Sequence, residues 1–415
     1  MIEMSPVFVS LKLIFSSLRH RNYLLHWIGT VVSHSGDWMD QIALNWLVLE
    51  ISNSPLNLGL VNLCRAVPIL IFSPLGGVAA DHWERRKILM VTQSTAMVLA
   101  FFLGALVTTG LVRIWEIYVI AALRGAIMSF NMPARQSMIS NLVPKEYLQN
   151  AVALNMATNN LTRVLGPSMG GILIAFCGID WLFYLNGISF FAILLTLYLI
   201  KYERIKSDKP KASPLQELKE GYIFIRQNRL LVYLIFLAVI PMFFGQPYLT
   251  MLTVFARDVL RIGPIGLGLL TSTASLGSIL GALYVAGRRR ALTIRFMLGA
   301  IMVFGLALFM FSFSKRVVPS LIFLFLAGAG NMVYNSANNT LLQLNAPDEY
   351  RGRVVSVLFI NRAMVSLGTA FTGLLASIFG APVALGFMAA IVMMLGALAM
   401  IFRPKEASSS ANYGG

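Results

Sequence analysis

Twelve times between residues 22 and 402 the chain enters a long apolar run, and that recurrence decides which solvent it folds in. The runs lie at about 22–50, 56–80, 88–110, 114–140, 147–177, 181–200, 230–257, 264–286, 293–313, 317–345, 353–379 and 381–402. Crossing a bilayer takes about 20 helical residues at about 1.5 Å each. A membrane barrel would need short strands of alternating polarity, whereas Phe190 to Ile200 (FFAILLTLYLI) is continuously apolar. Charged residues make up only 12% of the chain and the mean hydropathy is +0.75. Water-soluble domains carry about 25% charged residues, so a soluble fold is excluded. The expected class is an all-α membrane protein with twelve transmembrane helices. Residues 1–21 lack the apolar core and small-residue cleavage site of a secretory signal. Cys64 and Cys177 fall inside spans and read as small buried residues rather than a disulfide or metal site.

A formal charge of +16 would suit nucleic acid, but its placement argues for topology instead. Alternate span ends, the central loop and the termini carry 24 of the Lys and Arg residues, Arg135 and Lys145 among them. The intervening loops carry only 5, namely Arg113, Arg257, Arg261, Lys315 and Arg316. Basic loops stay in the cytoplasm, so both termini and the central loop are expected there.

The one long polar interruption splits the chain into domains expected at 1–200, 201–228 and 229–403, with a polar, disordered tail over 404–415. The early linker, YERIKSDKPKASP, is charged and rich in breakers. Ser213 and Pro214 then suit a helix start, and Leu215, Leu218, Tyr222 and Ile225 recur at helical spacing. That segment reads either as an amphipathic helix at the membrane interface or as a solvated linker helix. The two halves resemble each other. Asn22-Tyr23-Leu24-Leu25 matches Asn228-Arg229-Leu230-Leu231, and Pro144-Lys145-Glu146-Tyr147 matches Pro347-Asp348-Glu349-Tyr350. Such duplication implies two pseudo-symmetric six-helix bundles with one path between them.

The turn after the second span reads Gly76-Gly77-Val78-Ala79-Ala80-Asp81-His82-Trp83-Glu84-Arg85-Arg86-Lys87. This resembles the signature of the major facilitator superfamily between helices 2 and 3. The resemblance implies a conformational latch of Gly77, Asp81, Arg85 and Arg86. Glu84 stands where that family often has a second glycine, and His82 where it has arginine. The fifth span carries Gly166-Pro167-Ser168-Met169-Gly170-Gly171, in which the proline removes a backbone hydrogen bond and the glycines permit close packing. It resembles the motif of drug:proton antiporters, with Thr162 at the position of the family's preceding glycine; the residues concerned are Gly166, Pro167, Gly170 and Gly171.

Charges deep in the spans are the candidate machinery. A carboxylate at the bilayer centre costs about 2.5–3.5 kcal/mol on insertion scales, so it must face protein or water. Asp37 lies near the middle of its span and can bind and release a proton as its surroundings change; Asp40 is one turn on. Both read as coupling acids, or as structural acids paired with arginine. Arg124, followed by Gly125, resembles the superfamily's buried arginine of helix 4, and is expected to pair with Asp37. Arg65, Arg163 and Arg362 also lie within spans, so four cations meet two anions. The surplus suits an anionic or zwitterionic substrate through arginine's forked donors, unless some of these arginines reach carbonyls or headgroups. Asn159, Asn335 and Asn338 either bind substrate or join helices. The four histidines, at 20, 26, 34 and 82, lack metal-ligand spacing, and no phosphate loop is present, so no enzyme, metal or cofactor is expected.

Across about Arg19 to Phe402 the chain looks most like the bacterial branch holding macrolide efflux pumps and the enterobactin exporter. The details are Gly36-Asp37 with Ile42-Ala43-Leu44, and Pro68 with Pro74. That resemblance implies a major facilitator fold in a bacterial inner membrane, acting as a monomer. It further implies export of a small amphipathic compound against protons, without nucleic acid. A lysophospholipid flippase of the same fold and a non-transporting sensor or scaffold are the alternatives.

Overall fold

In a computed structural model of the chain, residues 15–200, 223–288 and 292–402 are described, with backbone alone for residue 81 and residues 348–363. Most of the 201–228 linker and the 404–415 tail therefore lie outside the described residues; the linker's end, 223–227, is helical. After a short 3-10 turn at Ser16–Arg19 come α1 (Arg21–Ser52), α2 (Pro55–His82), α3 (Arg85–Thr108), α4 (Ile114–Ile139), α5 (Lys145–Cys177) and α6 (Asp180–Leu199). Then follow α7 (Arg229–Val259), α8 (Gly263–Ala286), α9 (Ile294–Ser312), α10 (Val317–Leu344), α11 (Asp348–Phe379) and α12 (Ala381–Ile401).

Local chemistry sets the ends. Asn53 stops α1 in the left-handed region at φ 48°, which asparagine tolerates, and Pro55 then opens α2, where its missing N–H costs nothing. The backbone N–H of Arg113 donates to Glu116 at 2.9 Å to start α4. The Asn228 side chain accepts from Leu230 and Leu231 to start α7. The repeat seen in sequence reappears in backbone geometry. Both α5 and α11 start after a proline of near-identical dihedrals, Pro144 and Pro347. They run for 33 and 32 residues and stop at glycines with φ of 93° and 83°, Gly178 and Gly380.

Among the described residues nine helices are long and apolar enough to cross a membrane, judged by length and composition. The three outside that set are α1, α5 and α11, of which α11 contributes a shorter apolar stretch, Met364–Phe379. The runs expected at 22–50 and 147–177 are helical but less apolar than the nine, and polarity is the reason. Asp37 and Asp40 lie on α1, and Asn155, Asn159, Asn160 and Arg163 on α5.

Two compact units emerge. The first gathers α1–α6 with Leu249–Ser275. In it α2 lies along α4, α1 packs on α5 and α6, and α3 packs on α4 and α6. Helices in lipid gain little from apolar burial against one another, so close backbone approach matters most. A Cβ on Gly76 would stand 2.0 Å from the Ser129 carbonyl oxygen, and one on Gly125 2.1 Å from that of Arg65, so α2 and α4 meet backbone to backbone twice. The outer face stays apolar: Val91, Val98 and Phe102 on α3 are exposed while Leu89, Ala100 and Leu103 are buried.

The second unit holds α7 up to Tyr248 and the chain from Leu276 through α12. In it α9 packs on α10 and α12, and α11 packs on α12. Gly277 and Gly281 bring α8 onto the α10 backbone at Phe325 and Ala329, the same pairing as α2 with α4, six helices on. Within α7, π-turns at Pro241–Gly245 and Phe255–Val259 interrupt the regular hydrogen bonding.

Candidate functional site

Along α1, His26, Thr30, His34, Asp37 and Asp40 follow one another at spacings of three and four, which places them on one broad face. Gly29 and Gly36 face α6 instead, against Thr196 and Ser189. Asp40 is 4% exposed. The Arg124 guanidinium grips it with both arms: Nη1 donates to Oδ2, and Nη2 to Oδ1 at 3.0 Å. A bidentate pair of this kind is the strongest arrangement open to a guanidinium and a carboxylate. Gly125, next in sequence, lets α4 approach the α2 backbone at Arg65, which positions Arg124 from behind.

The expected partner of Arg124 was Asp37, and the structure corrects this to Asp40. Three residues advance α1 by about 4.5 Å, so the two acids stand at different depths. Arg124 arrives at the level of Asp40. Asp37 is exposed and, among the described residues, makes no hydrogen bond or ion pair. It lies within electrostatic reach of Arg135, Asp40, Arg65 and Arg124. Arg65 donates to the Met128 sulfur at 3.2 Å. Arg163 stacks over the Trp38 ring, 5.9 Å from its centroid. Of Arg362 only the backbone, within α11, is described.

Sequence reasoning missed two residues, Arg135 and His34. Arg135 was counted with the basic residues that set topology, yet it lies within α4 and its Nη1 meets Nε2 of His34 on α1. The Asn159 side chain of α5 lies beside His34 as well. The available signal was that Arg135 stands one turn inside the end of α4 at Ile139 rather than beyond it.

The turn after α2 ties two helix ends together. Arg85 donates to the Ser137 carbonyl at 2.7 Å and to Asn141 at 3.0 Å, closing the end of α4. Arg86 donates to the Tyr198 carbonyl at 2.9 Å, at the end of α6. The close-packing glycine is Gly76, not Gly77, which has open space around its Cβ position. The helix period explains the correction, since one residue turns the side chain by about 100°. The Asp81 side chain is outside the described residues.

On α5 the glycines do pack. Gly166 abuts Trp38, Gly170 abuts Met39, and Gly171 abuts the Pro264 carbonyl. Pro167 lies inside the helix, its carbonyl against Gly268. Ser168 and Ser272 share a hydroxyl hydrogen bond at 2.6 Å, and Ser272 also donates to the Val164 carbonyl at 2.5 Å. In the second unit, Asn335 donates to the Asn331 carbonyl at 2.9 Å, its own helix, and Asn338 is 3% exposed.

Ionisable side chains inside apolar helices are costly and recur where membrane proteins pass ions or small molecules. Fold and interior together define a multi-pass secondary transporter. The chain belongs to the major facilitator superfamily, within the family described as transmembrane secretion effectors, whose model matches residues 13–413. This is a family of transporters, not enzymes. The chain is 28% identical to the staphyloferrin A transporter of Staphylococcus aureus, over 83% of this chain and 87% of that protein. It is 26% identical to the multidrug efflux pump Tap of Mycolicibacterium fortuitum, over 92% and 95% of the two chains. Among solved structures it resembles a bacterial homologue of the human lysosomal transporter Spinster in an inward-facing, occupied conformation. The TM-score there is 0.75 at 14% identity, covering 92% of this chain and 96% of that one, a likeness of fold alone.

Proposed function

We propose that the chain exports a small amphipathic molecule in exchange for protons, by alternating access between two six-helix halves with both termini in the cytoplasm of a bacterial cell. The observation that carries this reading is the division of labour on α1. Asp40 is committed to Arg124, while Asp37 is exposed and, among the described residues, unpaired, within reach of Arg65 and Arg135. A carboxylate in that position exchanges protons without dismantling the ion pair beside it. Protonation from outside removes the charge that holds the arginines, and deprotonation toward the cytoplasm restores it. One charge crossing 100 mV supplies about 2.3 kcal/mol, enough to bias a conformational equilibrium strongly. The Gly166–Gly171 segment supports export by its likeness to antiporters, as does similarity to a multidrug efflux pump. The latch reading rests on Arg85 and Arg86, which tie the α2–α3 turn to α4 and α6.

Inverted membrane vesicles test it. Labelled anionic, cationic and lysophospholipid substrates are offered with and without an inward-acid pH gradient. Gradient-driven uptake of a soluble compound supports proton-coupled export. Movement of lysophospholipid alone, indifferent to the gradient, would replace it with a flippase; no movement of any compound would favour a sensor or scaffold.

A further inference from the structure

We propose that Arg135, His34 and Asn159 form a subsite that binds a carboxylate group of the transported molecule, so that the substrate is an organic acid. The inference rests on the transport reading and names the substrate class of the same interior.

Arg135 carries five N–H donors on a group that stays protonated throughout the accessible pH range. Its hydrogen bond among the described residues is to the His34 ring, and none of the ion pairs there includes it. Because the guanidinium can only donate, His34 Nε2 must accept, so this imidazole is neutral and carries its proton on Nδ1. Asn159 adds an amide to the same ring. His26, two turns back on α1, is 2% exposed, has neither ring nitrogen hydrogen-bonded, and lies within electrostatic reach of Arg135. The Thr30 hydroxyl between the two histidines is fully buried and unpartnered as well. The cluster thus holds a surplus of donors and one fixed positive charge.

The neighbouring charges neutralise it only in part, because Asp37, within its electrostatic reach, is shared with Arg65 and Arg124. Within the helices of the first unit Arg65, Arg124, Arg135 and Arg163 accompany Asp37 and Asp40, and three of the four arginines lie within electrostatic reach of Asp37. Asp40 is taken by Arg124, Arg163 leans on Trp38, and Arg65 has a thioether. Asp37 is exposed and shared among several cations. A guanidinium fork without a carboxylate bonded to it among the described residues matches the planar, two-oxygen face of one that arrives with the substrate. A cationic ligand would meet like charge there, which specifies the class by exclusion as well as by fit.

Equilibrium binding to the purified chain in nanodiscs of neutral phosphatidylcholine tests this without any gradient, so its outcome is independent of proton coupling. The probes are carbon-14 succinate, citrate and benzoate, with tetraphenylphosphonium as the cationic competitor. At least one acid should bind saturably and resist competition by the cation. Arg135→Gln should weaken it by about tenfold, the equivalent of about 1.4 kcal/mol, and Arg135→Lys by a smaller factor because the point charge remains while the fork is lost. Arg163→Gln should weaken it less than Arg135→Gln does. Thermal unfolding of each variant checks that it folds, and the lysine variant serves if the glutamine variant does not. Failure of all three acids to bind overturns the proposal. So does equal weakening by Arg135→Gln and Arg163→Gln, which would mean a diffuse positive potential and no local site.

Discussion

Arg124 holds Asp40 through two parallel hydrogen bonds, with Nη2 donating to Oδ1 at 3.0 Å, and leaves Asp37, one turn away, without a hydrogen-bonded partner among the described residues. The two acids are therefore not interchangeable, although both sit in the same span and either could have met the arginine.

Asp40→Asn should cost stability, because it strands a guanidinium inside the protein. Breaking a buried pair from one side costs about 3–5 kcal/mol, and Asp37→Asn should cost well under half of that. Thermal unfolding in detergent ranks the two. An Asp37→Asn variant that unfolds earlier than Asp40→Asn would reverse the assignment.

Asp37→Asn should instead fold normally and lose substrate-linked proton flux. Counterflow of labelled against unlabelled substrate, which needs no gradient, should persist. A variant retaining full coupled flux would remove Asp37 from the coupling role.

Gly76 and Gly77 should respond oppositely to alanine. At Gly76 the new methyl meets the Ser129 carbonyl, and overpacking of this kind costs about 1–3 kcal/mol. At Gly77 it meets open space, and the helix gains up to about 1 kcal/mol from the better helix former. Expression level and melting temperature of the two variants should diverge accordingly.

Ser168→Cys with Ser272→Cys should cross-link under mild oxidation, given the contact of their hydroxyls. With Cys64 and Cys177 first replaced by serine, oxidation should stop transport and a reductant should restore it. Transport that continues in the cross-linked protein would show that α5 and α8 need not separate here.

Much of this was legible in the order of residues. The apolar runs located the helices, and the two Pro-x-Glu-Tyr segments announced the matched starts of α5 and α11. Hydropathy was weaker where it mattered most: α1 and α5 fall short of an apolar span because their polar residues serve the interior. Partner choice was not legible. Spacing along a helix gives a face and a depth, but not which neighbour arrives there, so Arg124 was assigned to the wrong aspartate and Gly77 was chosen over Gly76. Arg135 was hidden by its position, since an arginine one turn inside a helix end reads like one just beyond it.

The π-turn at Pro241–Gly245 lies just before Tyr248, where α7 passes from one compact unit to the other. A turn closed by a bond from Gln246 to the Pro241 carbonyl carries one residue too many, and the proline contributes no amide to the stretch before it. Such an irregularity weakens the regular hydrogen bonding of the helix at that level. Under the proposed alternating access, the seventh helix would yield at this level while the segments on either side keep their shape.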